Sequence, residues 1–194
     1  MFMAERGVRE HTMYEPRPTT ATILCPSPML SNAPLWALES DLTIMVNAAI
    51  RFPITPLGPW RWMLNDRDGW DRLSGELKGR NPELWCPRWK QQPGDEVYED
   101  LDKLFIDFET MRNTITWAPY ECGWPISTMT RCIACLVEEG WKRIDIVGCQ
   151  LDGMGYYGTD IEKYSSEERW RGERRALNVL IKCGDDVGVT IRRI

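Results

Sequence analysis

The segment from Pro125 to Asp152, PISTMTRCIACLVEEGWKRIDIVGCQLD, restricts the fold of this chain more than any other stretch. Within residues 128–139, Met129, Ile133, Ala134, Leu136 and Val137 recur at helical spacing, and Gly140 stands where such a helix stops. Lys142 and Arg143 follow. Ile144, Ile146 and Val147 then make a short, almost wholly apolar strand that ends at Gly148. A strand apolar on both faces and fed by a helix belongs to a buried parallel sheet, because helices must cover both of its sides. Ligands of such sheets bind beyond the carboxyl ends of the strands. Cys149, Gln150 and Asp152 therefore stand where chemistry is expected.

The 194 residues are enough for one domain, and a hydrophobic content of 43% supplies a real core. Residues 20–194 are read as that domain, with an irregular excursion near 90–116 that is charged and lacks a clean period. Residues 1–19 are polar and proline-interrupted, and are expected to form a tail or an edge extension. No stretch approaches the apolar length needed to span a bilayer. The opening MFMAERGVREH has charge and no apolar segment, unlike a signal peptide, so a cytoplasmic location is expected. The net charge of −5 opposes broad nucleic-acid binding by bulk electrostatics. Seven cysteines make an odd number in a chain too long to need disulfide staples, so reduced, buried thiols are expected. Cys132 and Cys135 have C-x-x-C spacing. No second pair and no nearby histidine completes a zinc site, the single histidine being His11, so no metal centre is read here.

Along the chain, strands are expected at Thr20–Leu24, Asp41–Val46, Trp60–Leu64, Glu83–Cys86 and Gly188–Arg192. Short helices are expected near 32–39 and 68–77, and a long one near 166–183. The first two strands with their helical link form a βαβ unit.

The loop Cys25–Leu30 follows the first strand, where phosphates usually meet backbone N–H groups. It has no glycine, and Pro26 and Pro28 remove two donors, so a plain turn is an equal reading and Ser27 is its one candidate side chain. Asn47 ends the second strand and Asn65-Asp66 the third; each suits a turn, and together they suit a polar crevice. Ser127 and Thr128 open the helix described above, where N-capping explains them and an anionic ligand group would also be welcome. Asp152-Gly-Met-Gly-Tyr-Tyr-Gly158 suits a mobile lid with Tyr156 and Tyr157 stacking on a base or sugar, although it lacks the lysine of a phosphate-binding P-loop. In EERWRGERR, a salt-bridged solvated face is the default, and the arginines could instead reach a diphosphate.

The order of these pieces resembles a Rossmann-like family that includes bacterial sialyltransferases, flagellin-glycosylation proteins, archaeal 6-hydroxymethylpterin diphosphokinases and small phage glycosyltransferase-like proteins. ILCPSPML, DLTIMVNAAI, MLNDRD, STMTRCIACLVEEGWKRIDIVGCQLD, RWRGER and GVTIRR stand in the family's order over residues 20–194. The resemblance implies an α/β, Rossmann-like three-layer fold with a mainly parallel central sheet. It also implies a phage-encoded, nucleotide-sugar-dependent glycosyltransferase-like protein acting in the host cytoplasm. Ser27, Asn47, Ser127, Thr128 and Gln150 would hold the nucleotide. Asp66 or Asp152 would act as general base or bind a divalent cation such as Mg or Mn. Tyr156, Arg169, Arg171 and Arg174 would meet the diphosphate or substrate. The implied partner is a small-molecule nucleotide, with no membrane and room for a homo-oligomer; the acceptor is unspecified.

The chain departs from the pattern at four places. Cys25 and Ser27 replace first-loop glycines, Ser127-Thr128 stands where the pattern has a Thr-Gly pair, Gln150 stands for the strand-end acid with Asp152 two residues on, and no histidine matches the sialyltransferase base. Two alternatives follow: an ATP-dependent diphosphokinase acting on a small alcohol, with Asp66 and Asp68 as paired acids, or a catalytically inactive nucleotide-sequestering protein.

Overall fold

A computed structural model of the protein describes residues 20–64, 67–87, 103–106, 127–151 and 167–194. Seven strands form one sheet in the order β5-β4-β3-β2-β1-β6-β7. They are β1 (Thr20–Leu24), β2 (Leu42–Val46), β3 (Trp60–Met63), β4 (Glu83–Pro87), β5 (Lys103–Ile106), β6 (Arg143–Val147) and β7 (Thr190–Arg193). Every neighbouring pair runs parallel. The α-helices among the described residues are α1 (Arg67–Leu73), α2 (Thr128–Glu138) and α3 (Glu167–Asp186).

Alternation along the strands builds two cores. Ile23 is in register with Ile44 and Ile146, and Leu24 with Met45 and Val147. Ile23, Ile44 and Ile146 pack with Met129, Ile133 and Leu136 of α2 and with Leu177 and Leu180 of α3. Leu24, Met45 and Val147 face the other way, against Leu30, Ala49, Ile50, Trp62 and Trp70. Each such side chain contributes about 1.5–3 kcal/mol on burial. With both sheet faces covered, the architecture is the α/β three-layer fold expected. No helix among the described residues is long and apolar enough to cross a membrane.

The helix expected over 32–39 is instead two 3₁₀ turns, Pro28–Asn32 and Leu35–Leu38. Pro34 holds Ala33 in an extended conformation (φ −56°, ψ 129°), which a continuous helix does not permit. The helix expected over 68–77 stops at Leu73 and tightens into a 3₁₀ turn, Ser74–Leu77, that contains Gly75. Inside the unreadable stretch 90–116 lies β5, an edge strand whose Leu104 pairs with Trp85. Four residues among charged neighbours carry too little periodicity to reveal it. α3 runs on to Asp186, and the last strand starts at Thr190 because Gly188 (φ 73°) turns the chain first. The expectations placed on 1–19, Asp66, Asp152 and Tyr156, and on the side chain of Arg169, lie outside the described residues.

Candidate functional site

From β1 the chain builds β2 to β5 on one side, while β6 and β7 add on the other. The connections from β1 and β6 therefore part at their carboxyl ends and leave a crevice, the switch point where α/β sheets take ligands. The ladder extends one residue past β1, with the Cys25 N–H donating to the Val147 carbonyl at 2.8 Å. Gly148 then turns the β6 connection away at φ 70°, and a Cβ there would sit 2.9 Å from the Cys25 carbonyl oxygen. Only glycine meets both demands.

A cavity of about 100 Å³ opens at this point, and all five residues expected to contact a nucleotide line it: Ser27, Asn47, Ser127, Thr128 and Gln150. They come from separate segments of the chain, following β1, following β2, opening α2 and following β6.

Asn47 has a left-handed backbone (φ 49°), a conformation asparagine tolerates better than most residues. Its carbonyl accepts a hydrogen bond from Trp62 Nε1 at 2.9 Å, and its Nδ2 donates to Thr128 Oγ1 at 3.1 Å. Thr128 Oγ1 is thereby used as an acceptor, and its own proton can be donated. Asn47 Oδ1 and Gln150 Oε1 are buried with no hydrogen-bond partner among the described residues.

Ser127 caps α2 through a reciprocal box. The Thr130 N–H donates to Ser127 Oγ at 3.2 Å, and the Ser127 N–H donates to Thr130 Oγ1 at 3.1 Å. The capping reading of this serine is therefore correct, and it orients the first turn of α2 at the cavity wall. Ser27 is buried and likewise caps the 3₁₀ turn that follows it, accepting from the Met29 N–H at 3.2 Å. Leu151, at φ 54°, is a second left-handed residue on the rim. Arg174 Nη1 donates to its carbonyl at 2.6 Å.

Arg174 thus braces the rim and is not among the lining residues; Arg171 is exposed on α3 and also lies off the wall. The α3 residues that do line the cavity are Trp170 and Glu173, the latter only 1% exposed. Attention to the arginines of RWRGER missed them. The signal was present, because Trp170, Glu173, Leu177 and Leu180 share one helical face, and Leu177 and Leu180 are core.

The wall also carries sulfur. Cys25, Met129 and Cys149 line the cavity, with Cys149 Sγ 3.2 Å from Met129 Sδ. The hydrogen bond with Cys149, reinforced by burial, pushes the Cys25 thiol well above its ordinary range. It stands as a protonated, weakly polar surface. Cys132 and Cys135, the C-x-x-C pair, are buried on α2, and burial raises both thiols. No group of three or more His, Cys, Asp or Glu among the described residues is placed to hold a metal ion. Asp68, the second acid of the diphosphokinase alternative, is exposed on α1.

The arrangement offers hydroxyl and helix-start N–H donors at Thr128 together with acceptors at Asn47, Gln150 and Glu173, over an apolar and sulfur-rich floor. Such a wall combines apolar surface with a few convergent polar groups, the make-up of small-molecule sites. Comparison of the chain with protein-family models, curated proteins and solved structures found no match.

Proposed function

We propose that the chain binds a nucleotide sugar at the β1–β6 switch point and works as a glycosyltransferase-like protein. One observation carries the reading. Five polar residues singled out by strand-end position and motif order, scattered from Ser27 to Gln150, converge on one cavity. Neighbouring parallel strands bring their carboxyl ends to one edge. Here that edge is lined with polar side chains in place of an apolar seal, two of them with buried oxygens that lack a partner among the described residues. The α2 N-terminus at the same wall suits a phosphate, because the first N–H groups of a helix have no partner inside it. The donor class and the transfer step come from the motif order, with Asp66 or Asp152 as the base that would deprotonate an acceptor hydroxyl.

A thermal-shift screen against nucleotides and nucleotide sugars, with and without Mg or Mn, tests the proposal. A saturable rise is expected for one nucleotide sugar, since a ligand at a hundred times its Kd adds about 2.7 kcal/mol to stability. The rise should be absent in Thr128→Val. A response to ATP with Mg alone would move the reaction to diphosphate transfer. No response to any of them would overturn nucleotide binding.

A further inference from the structure

We propose that Glu173, Asn47 Oδ1 and Gln150 Oε1 form an acceptor set that takes the vicinal hydroxyls of a ribose ring, holding the uncharged sugar in the cavity and turning the phosphates outward. The inference deepens the nucleotide reading above and rests on it.

Three observations lead there. Asn47 Oδ1 and Gln150 Oε1 are buried carbonyl oxygens at the cavity, without hydrogen-bond partners among the described residues. A buried acceptor lacking a donor is costly, so a ligand bringing O–H groups gains by filling both. Glu173 adds a third acceptor to the same wall from α3, and its carboxylate is almost wholly removed from solvent.

A phosphate offers acceptor oxygens and negative charge, and brings no donor to the two buried amide oxygens. Adjacent sugar hydroxyls offer donors to these two oxygens and can in turn accept from Trp170 Nε1, which is buried without a partner among the described residues. The cavity is small, about 100 Å³, and open at its mouth, so it seats one ring-sized part of a nucleotide while the rest extends outward. Trp170 and Met129 supply apolar surface for the C–H face of that ring. Phosphates then belong toward the start of α2, where N–H groups are available.

The test is calorimetric titration of the full chain with the four ribonucleoside 5′-monophosphates and their 2′-deoxy counterparts. For the nucleotide that binds, the ribo form should bind about tenfold tighter than the deoxy form, the effect of leaving one buried acceptor without its donor. Glu173→Gln should weaken the ribo form and narrow that gap, with a melting curve to establish that the variant folds. Gln150→Ala, at a less buried position, should narrow the gap in the same direction should Glu173→Gln fail to fold. Equal affinity for ribo and deoxy forms would overturn the inference while leaving nucleotide binding intact. So would a preference set only by the amino group of the base. Binding of no nucleotide at all would remove both readings.

Discussion

The left-handed backbone at Asn47 costs most residues about 1–2 kcal/mol, and the protein holds it there with two hydrogen bonds. Trp62 fixes its carbonyl, and its own amide reaches Thr128 across 81 positions of sequence. Glycine at this position keeps the backbone and removes only the side chain. Asn47→Gly is therefore expected to change stability by no more than about 1 kcal/mol and to abolish the ligand-induced thermal shift. Asn47→Ala should cost about 1–2 kcal/mol more in urea melts, because both variants lose the hydrogen bond to Thr128 and only alanine keeps the left-handed strain. Equal melts for the two variants would show that the backbone is not held as described. Asp145 presents a different case. Burial opposes its ionisation, yet hydrogen bonds from Arg192 and Arg143 outweigh burial and hold its carboxyl below the ordinary carboxylate range. Its stabilising share is complete above the unfolded value of about 4 and is lost as pH falls through the folded one. Asp145→Asn should thus lose more stability at pH 7 than at pH 3, measured by urea melts at both. A penalty that does not shrink in acid would contradict the ion pairs.

At the level of elements, the start of α2 separates capping from ligand contact. Ser127→Ala removes one cap and should lower stability by about 1 kcal/mol with little loss of nucleotide affinity. Thr128→Val, by contrast, keeps the cap but removes the acceptor of the Asn47 amide, and should melt about 1 kcal/mol less stable and bind poorly. Calorimetry and melting curves on the two variants give the comparison, and the opposite pattern would assign the ligand contact to the cap. Elements were legible in the sequence in proportion to how strongly they are buried on a regular period. α2 and β6 were readable within a residue or two because their apolar positions repeat on opposite covered faces. The link over 32–39 was misread because Leu35, Trp36 and Leu38 imitate a helix that Pro34 interrupts. β5 was hidden by its length and its charged flanks. In the site, strand-end position alone identified Ser27, Asn47 and Gln150. Trp170 and Glu173 stayed hidden because a basic helix directs attention to its arginines, although helical phase with Leu177 and Leu180 marks them as inward.

Over the whole molecule, the order β5-β4-β3-β2-β1-β6-β7 sets where the proposed ligand would sit. Two covered sheet faces leave only the strand ends for chemistry, and the divergence between β1 and β6 opens one of them. The measurement that tests this most directly is amide hydrogen–deuterium exchange with and without the nucleotide or nucleotide sugar that gives the largest thermal shift. Binding at the switch point predicts slower exchange in the segments around Ser27, Asn47, Thr128 and Gln150 together, with little change across β3, β4 and α1. Protection confined to other segments, or no protection with any nucleotide, would contradict it.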